Sequence, residues 1–242
     1  MDTAIVTGVS RGLGEALAAR LLAHHWSVIG VGRSAPSSLA GPAFELVQCD
    51  LADVASIRPI VWPKLQALAQ GRHARVCLIN NAALASPVGI IGELDEEQIA
   101  ASIAVNLTAP TLLCNAFVEA MRSSNAQRRI INVSSGAAQS AIAGGGIYSI
   151  AKAGLEMLTQ SIAAETQHTG IEAISLRPGI IDTDMQVFMR SQDKARVPSV
   201  DMFRGFHASG QLQPPATVAE RVVARLVEGS VENGLMYRYA EL

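Results

Sequence analysis

The 242-residue sequence predicts an α/β fold, a three-layer, doubly wound parallel sheet of about seven strands with helices on both faces. Two observations point to this class. Short apolar runs alternate with helical stretches along most of the chain, and hydrophobic residues make up 49% of it against 17% charged residues. A parallel sheet covered by helices on both faces needs this apolar balance. The length fits one large α/β domain, so we expect a single domain over residues 1–242.

Seven apolar runs predict the strands of this sheet. They cover residues 3–8, 27–32, 44–49, 76–79, 130–133, 171–176 and 235–239. Helical patterns lie between them, at residues 12–25, 53–70, 95–122, 148–168 and 215–228. Residues 184–209 show no comparably clear pattern.

Composition narrows the classes of function. The net charge of −2 and the pI of about 6.2 provide no basic surface for nucleic acid or an anionic membrane. The odd number of cysteines and the absence of a C-x-x-C pair predict reduced, buried thiols in a cytoplasmic protein. We recognise no signal peptide and no apolar run of about 18 residues, so we expect no membrane partner. The five histidines lack metal-ligand spacing, and we expect no metal site.

A glycine-rich turn follows the first predicted strand, in the sequence TGVSRGLG at residues 7–14. Glycines let backbone N–H groups approach a pyrophosphate, and the following helix adds its positive N-terminal dipole. The spacing is G-x-x-x-G-x-G, and an ordinary strand-to-helix turn is the alternative. Its place after an N-terminal strand favours a dinucleotide site and a sheet of the Rossmann type.

The end of the second strand indicates which dinucleotide is bound. An NAD site commonly has an acid here to accept a hydrogen bond from the ribose 2′-hydroxyl. This chain has Gly32, Arg33 and Ser34 instead, and Arg33 offers a fork to a 2′-phosphate. Arg11 can add a second positive charge, so we expect NADP(H); two exposed loop arginines are the alternative.

Tyr148 and Lys152 are one helical turn apart and share a helix face. A nearby ammonium favours a phenolate, so we expect Lys152 to lower the tyrosine pKa from about 10. Ser134 and Ser135 end the fifth strand, where one hydroxyl can bind a substrate carbonyl or merely form a turn. Asn106 is a poor helix former within a helical stretch, so its amide needs partners or lies at a kink.

These motifs, in this order, resemble the classical short-chain dehydrogenases/reductases along nearly the whole chain. The matching segments are TGVSRGLG at 7–14, NNAA at 80–83, Asn106, NVSS at 132–135, YSIAK at 148–152 and RPGIIDT at 177–183. Ala83 departs from the pattern, since the family more often has glycine there. A narrower similarity, in IIDTDMQ at 180–186 and the last tyrosine-containing strand, is to sepiapterin reductase and the related microbial benzil reductases.

The resemblance implies a catalytic tetrad of Asn106, Ser135, Tyr148 and Lys152. Tyr148 would protonate the carbonyl oxygen, Ser135 would orient the carbonyl, Lys152 would bind the nicotinamide ribose, and Asn106 would hold a water. The implied cofactor contacts, together with those from the turn and second strand, are Gly8, Ser10, Arg11, Gly12, Leu13, Gly14, Arg33, Ser34, Asp50, Leu51, Asn80, Ala82, Tyr148, Lys152, Pro178, Gly179, Ile181 and Thr183.

Residues 184–209 contain spaced methionines and phenylalanines, and we expect them to form a lid that selects the substrate. Core packing is the alternative. The members are Met185, Phe188, Met189, Met202, Phe203 and Phe206.

The sequence therefore predicts NADP(H)-dependent reduction of a small, apolar ketone or dicarbonyl to an alcohol. The alternatives are alcohol oxidation by the same residues, a non-catalytic nucleotide sensor on the same fold, and a carrier of hydrophobic ligands. The family also implies a homodimer or homotetramer built through the helices at 95–122 and 148–168.

Overall fold

The computed structural model describes residues 2–242, in which seven parallel strands form one sheet in the order β3-β2-β1-β4-β5-β6-β7. The predicted α/β class is confirmed. The strands are β1 (Thr3–Thr7), β2 (Ser27–Gly32), β3 (Phe44–Gln48), β4 (Arg75–Asn80), β5 (Gln127–Val133), β6 (Ile171–Arg177) and β7 (Met236–Arg238).

Helices cover both faces of the sheet and form two apolar cores with it. One core contains residues of α2, α4 and α5, and the other contains residues of α1 and α8. The helices are α1 (Gly12–Ala23), α2 (Val54–Gln70), α3 (Glu96–Ile103), α4 (Ala109–Met121), α5 (Gly146–Glu165), α6 (Asp184–Arg190), α7 (Val200–Ala208) and α8 (Pro215–Val222). All three cysteines are free and buried in this packing, as predicted.

The strand order reverses between β1 and β4, because β2 and β3 lie on one side of β1 and β4 to β7 on the other. Crossover helices then diverge at the carboxyl ends of these two strands and leave a crevice, which is where open α/β sheets bind ligands. The glycine-rich turn after β1 and the loop after β4 both open into it.

The helix expected at 95–122 contains a feature that the sequence did not predict. Residues Ala104–Thr108 form a π-helical turn between α3 and α4. The whole stretch Glu96–Met121 is long and apolar enough to cross a membrane, although we expected no such segment. Half of its most apolar window is buried in the protein, and core helices have the same composition, so this is weak evidence for a membrane span.

Residues 182–212 leave the sheet and return to the same place. Ile181 and Gln213 form a parallel bridge, with Asp182 N–H donating to Gln213 O at 2.9 Å and Gln213 N–H donating to Ile180 O at 2.8 Å. Between these ends, α6 and α7 enclose a third, small apolar cluster centred on Met189, Phe203 and other buried residues, Val88, Val197 and Val200.

Candidate active site

A groove of about 1050 Å³ runs along the carboxyl ends of the strands. It contains most of the residues that the sequence assigned to the cofactor and to catalysis. Those lining it are Gly8, Ser10, Arg11, Gly12, Leu13, Arg33, Ser34, Asp50, Leu51, Ala82, Ser135, Tyr148, Lys152, Pro178, Gly179, Ile181 and Thr183. Gly14, Asn80 and Asn106 are absent from its lining.

The glycine-rich turn is built so tightly that no side chain fits at Gly14. A Cβ there would lie 2.1 Å from Gly8 O and 2.4 Å from the Asn81 side-chain nitrogen. Gly8 and Gly12 have φ values of 72° and 63°, which favour glycine. Gly14 therefore shapes the turn from behind, whereas Gly8 and Gly12 line the groove.

The turn is also tied to the loop after β4. Thr7 Oγ1 accepts hydrogen bonds from Asn81 N and Ala82 N, both at 2.9 Å, and Asn81 Nδ2 donates to Thr7 O at 3.0 Å. The sequence analysis recognised the NNAA segment but gave no role to Asn81. Its structural role depends on the pairing of β1 with β4, which no local pattern in the sequence reveals.

Arg33 and Ser34 are exposed at the adenosine end of the groove, where no acidic side chain replaces Gly32. Arg11 is also exposed, and its Nη1 donates to Asp184 Oδ2 at 2.8 Å across the groove. The pair links the turn to the first residue of α6. A dinucleotide phosphate would thus meet one free guanidinium, Arg33, and one that already has a carboxylate partner.

Tyr148, Lys152 and Ser135 converge in the middle of the groove. The Ser135 hydroxyl is near enough to the Tyr148 hydroxyl to favour its ionised form and so to lower its pKa. Lys152, only 2% exposed, lies with Nζ 5.6 Å from the centre of the Tyr148 ring and donates to Val133 O at 2.8 Å. Ser135 Oγ accepts from Ala137 N at 3.2 Å, which leaves its proton free to be donated.

The expected lowering of the tyrosine pKa is not found. Burial raises the pKa of Tyr148 to about 12, and the Ser135 hydroxyl opposes the rise only in part. Burial also lowers the pKa of Lys152 to about 8. The ammonium is directed at Val133 O rather than at the phenol oxygen, so it does not offset the loss of water around Tyr148.

Asn106 lies in the π-helical turn, fully buried, and its side chain is held by protein partners. Its Oδ1 accepts from Leu84 N at 2.8 Å, while its Nδ2 donates to Leu84 O at 2.8 Å and to Ser102 Oγ at 3.1 Å. The amide therefore holds the loop after β4 against the helix. That Asn106 holds a water stays a prediction, since these bonds occupy both of its side-chain N–H groups and leave one lone pair on Oδ1.

Asn80 departs from expectation. Its side chain points into the interior, where Nδ2 donates to Asn132 Oδ1 at 2.8 Å and contacts Cys114 Sγ at 3.2 Å. It cannot contact the cofactor in this orientation, because the side chain at the end of β4 faces the helices rather than the groove. Asn81 and Ala82 line the groove at this point.

The segment 184–209 forms one wall beside Tyr148. Met185, Phe188, Met189 and Phe203 line the groove. Met202 is 39% exposed, and Phe206 packs edge-on against Phe203 with ring centres 6.3 Å apart. The segment therefore does both things that the sequence allowed: some of its side chains line the groove, and others pack into a small apolar core. Gln186 also lines the groove, although the sequence did not point to it, and within residues 2–242 its buried Oε1 has no hydrogen-bond partner.

A Rossmann-type sheet with a glycine-lined groove and a tyrosine–lysine–serine cluster defines a dinucleotide-dependent α/β enzyme. Comparison with known proteins gives the particular family. A sequence model described as short chain dehydrogenase matches residues 2–194. The chain belongs to this family, which confirms the resemblance, and it is therefore an oxidoreductase that reduces carbonyl groups with a nicotinamide cofactor.

Individual relatives match over nearly their full length. Benzil reductase ((S)-benzoin forming) of Bacillus subtilis (strain 168) is 30% identical over 243 residues, covering 100% of this chain and 99% of the relative. Sepiapterin reductase of Meriones unguiculatus is 29% identical over 252 residues, covering 95% and 93%. The crystal structure of the KRED1-Pglu enzyme has a TM-score of 0.84 and 28% identity, covering 98% of this chain and 100% of that one.

Proposed function

We propose that this protein uses NADPH to reduce a small, mainly apolar ketone or vicinal dicarbonyl to an alcohol. The observation on which this depends is the contact between the Tyr148 and Ser135 hydroxyls above the buried Lys152, in a groove with an apolar wall. An acid held in its protonated form beside an apolar pocket is suited to protonating a carbonyl oxygen.

When bound, the reduced nicotinamide supplies the hydride. Tyr148 donates a proton to the carbonyl oxygen; burial keeps it protonated at neutral pH but makes it a weaker acid, and a pKa nearer the working pH would speed the transfer. Ser135 donates a hydrogen bond to the same oxygen, because its bond with Ala137 N uses an oxygen lone pair and leaves the hydroxyl proton available. Lys152 uses one N–H for Val133 O and has two left for ribose hydroxyls.

The chain's own groups fit an NADP(H) molecule. Glycine at positions 8 and 12 permits the positive φ of the turn, and glycine at position 14 lets the turn pack against Gly8 O and Asn81. A tight turn of this kind lets the backbone approach a pyrophosphate closely. Arg33 offers a bidentate donor to a 2′-phosphate, and Arg11 offers a second one if it releases Asp184. Asp50 and Leu51 would border the adenine.

The narrower substrate class rests on the wall and on the relatives. Met185, Phe188, Met189 and Phe203 suit an apolar substituent next to the carbonyl. Two matching relatives are named benzil reductase ((S)-benzoin forming), and benzil is a vicinal diketone with two aryl groups. We assign residues 184–209 as the substrate lid of a single 1–242 domain.

We place the enzyme in the cytoplasm and infer that it forms a homodimer or homotetramer. Three reduced, buried thiols suit a reducing compartment. Exposed apolar side chains on α4 and α5 suit an interface between copies of the chain.

The test is a panel of aryl diketones, aliphatic ketones and aldehydes, assayed with NADPH and separately with NADH. We expect turnover that is faster with NADPH, and a loss of roughly 10²- to 10⁴-fold in kcat for Tyr148→Phe, the size of a general-acid contribution. Nucleotide binding should persist in that variant. Absence of turnover despite NADPH binding would favour a nucleotide sensor, and tighter binding of NADH would refute the role of Arg33.

A further inference from the structure

One buried carboxylate beside the active site holds together three separate pieces of the chain. Glu156 Oε1 accepts from Ser134 Oγ at 2.7 Å and from Arg177 Nε at 2.8 Å, and Glu156 Oε2 accepts from Arg177 Nη2 at 2.8 Å. The two charged side chains are only 13% and 12% exposed. Ser134 lines the groove, whereas Glu156 and Arg177 do not, and the reaction proposed above gives the ion pair no task.

Each partner comes from an element that carries an active-site residue. Glu156 is one turn after Lys152 on α5, on the same helix face. Arg177 ends β6 and directly precedes Pro178. Ser134 directly precedes Ser135 at the end of β5.

The Glu156–Arg177 ion pair is also connected to the far end of residues 134–139, the turn that contains Ser135. Arg177 Nη1 donates to Gln139 Oε1 at 2.8 Å, just after the short helical turn Gly136–Ala138. Residues 134–139 are therefore attached to one ion pair at both ends, through Ser134 and through Gln139. Ser135 lies between these two attachments.

The charges of Glu156 and Arg177 stabilise the contact between their side chains. Burial raises the pKa of Glu156, but hydrogen bonds from Arg177 and Ser134 hold it below its usual range. The hydrogen bond to Glu156 raises the pKa of Arg177. Both groups are thus charged throughout the physiological range, and a forked, two-bond contact fixes direction as well as distance.

We propose that Glu156 and Arg177 are positioning residues that hold the Ser135 turn against the helix carrying Tyr148 and Lys152. The pair touches neither substrate nor cofactor and acts through Ser134 and Gln139. This inference rests on the proposed function for its effect on turnover. The mechanical tie itself depends only on the contacts described.

The chain offers a matched control for a purely structural role. Arg129 and Glu172 form a second ion pair between β5 and β6, in which Arg129 Nε and Nη2 both donate to Glu172 Oε2, at 2.9 and 2.6 Å. Arg129 is buried, and Glu172 is partly exposed. That pair bridges the opposite ends of the same two strands and contacts no residue of the groove. Loss of the Glu172 charge should lower stability as much as loss of the Glu156 charge does, but it should lower kcat far less.

The experiment compares Glu156→Gln with Glu172→Gln. We expect Glu156→Gln to lower kcat by about 10- to 100-fold, as small misplacements of catalytic groups do, without changing the KM for NADPH. Hydrogen–deuterium exchange of the peptide covering 134–139 should accelerate in the same variant. Glu172→Gln should leave both kcat and this exchange as in the wild type, even if its melting temperature falls.

A second variant keeps the proposal testable if Glu156→Gln does not fold. Gln139→Ala removes one attachment of the turn at an exposed position and leaves the ion pair intact. It should also accelerate exchange over 134–139. Unchanged exchange in these variants, or a loss of kcat no larger than in Glu172→Gln, overturns the proposal. If the wild type reduces no carbonyl, the proposed function fails, and the exchange measurement alone decides whether the tie exists.

Discussion

At the residue scale, the active-site groups have unusual proton affinities because they are buried. Helical spacing alone drew attention to Tyr148 and Lys152, and the end of the fifth strand to Ser134 and Ser135, since these are local features; the choice of Ser135 came from the resemblance to the family. It could not predict the direction of the tyrosine pKa shift, which depends on how much water the folded chain excludes and on where the lysine nitrogen points.

Lys152 makes a prediction about stability possible. Its pKa falls from 10.5 to about 8 on folding, so the folded protein releases this proton before the unfolded chain does. Below pH 8 both states carry the proton, and the folded state bears the full cost of the buried charge, about 3 kcal/mol. Lys152 therefore contributes a rise in stability as pH increases from about 8 to 10.5, the window between the two values. Burial raises the pKa of Cys77 and Cys114 from 9.0, and that of Tyr148 from 10.0, to about 12, so these groups oppose the rise above about pH 9.

Lys152→Met removes this cost. We expect the variant to be more stable than the wild type at pH 7, and we expect this difference to shrink between pH 8 and 10.5, measured by urea unfolding, because the groups that oppose the rise are the same in both proteins. Lys64→Met, at a side chain 42% exposed, is the control and should differ from the wild type by the same amount across this window. A difference between Lys152→Met and the wild type that stays constant from pH 8 to 10.5 would contradict the assignment.

At the scale of elements, the sequence predicted which helices and strands are present better than it predicted where they begin and end or where a helix is irregular. The strand at 76–79 extends over Arg75–Asn80, and the helix expected from 148 begins at Gly146. The π-helical turn at Ala104–Thr108 was missed because local propensity only marked Asn106 as unfavourable. Its partner, the Leu84 backbone, comes from a loop 22 residues away.

Asn106→Leu tests the tie between this turn and the loop after β4. It leaves the Leu84 N–H and C=O without their partners, and each unsatisfied buried group costs about 1–3 kcal/mol. We expect a loss of at least about 2 kcal/mol in the free energy of unfolding. Asn115→Leu, at an exposed position of α4, should change it by less than about 0.5 kcal/mol. Equal effects in the two variants would argue against the tie.

At the scale of the whole molecule, apolar side chains remain exposed on the outer surface of two neighbouring helices. Ile150 and Met157 are seven residues apart on α5, hence on one face, and are 54% and 59% exposed. Leu112 on α4 is 36% exposed. The apolar composition that predicted a buried sheet thus also leaves a surface suited to a second copy of the chain.

The double variant Ile150→Glu/Met157→Glu should be monomeric in sedimentation velocity experiments at concentrations where the wild type is a dimer or tetramer. Burying two unpaired carboxylates in an interface is strongly unfavourable. Val54→Glu, at an apolar position 37% exposed on α2, should leave the mass of the assembly unchanged. A wild type that sediments as a monomer would remove the basis of the proposed interface.

The bridge between Ile181 and Gln213 has a consequence for how this enzyme can diversify. Because the two ends of the intervening chain are clamped side by side, its length and composition can change at little entropic cost to the rest of the domain. New insertions at this site would reshape one wall of the groove while the strands, the glycine turn and Tyr148 keep their places. On the proposed function, selectivity could then evolve while the groups assigned to the chemical step stay fixed.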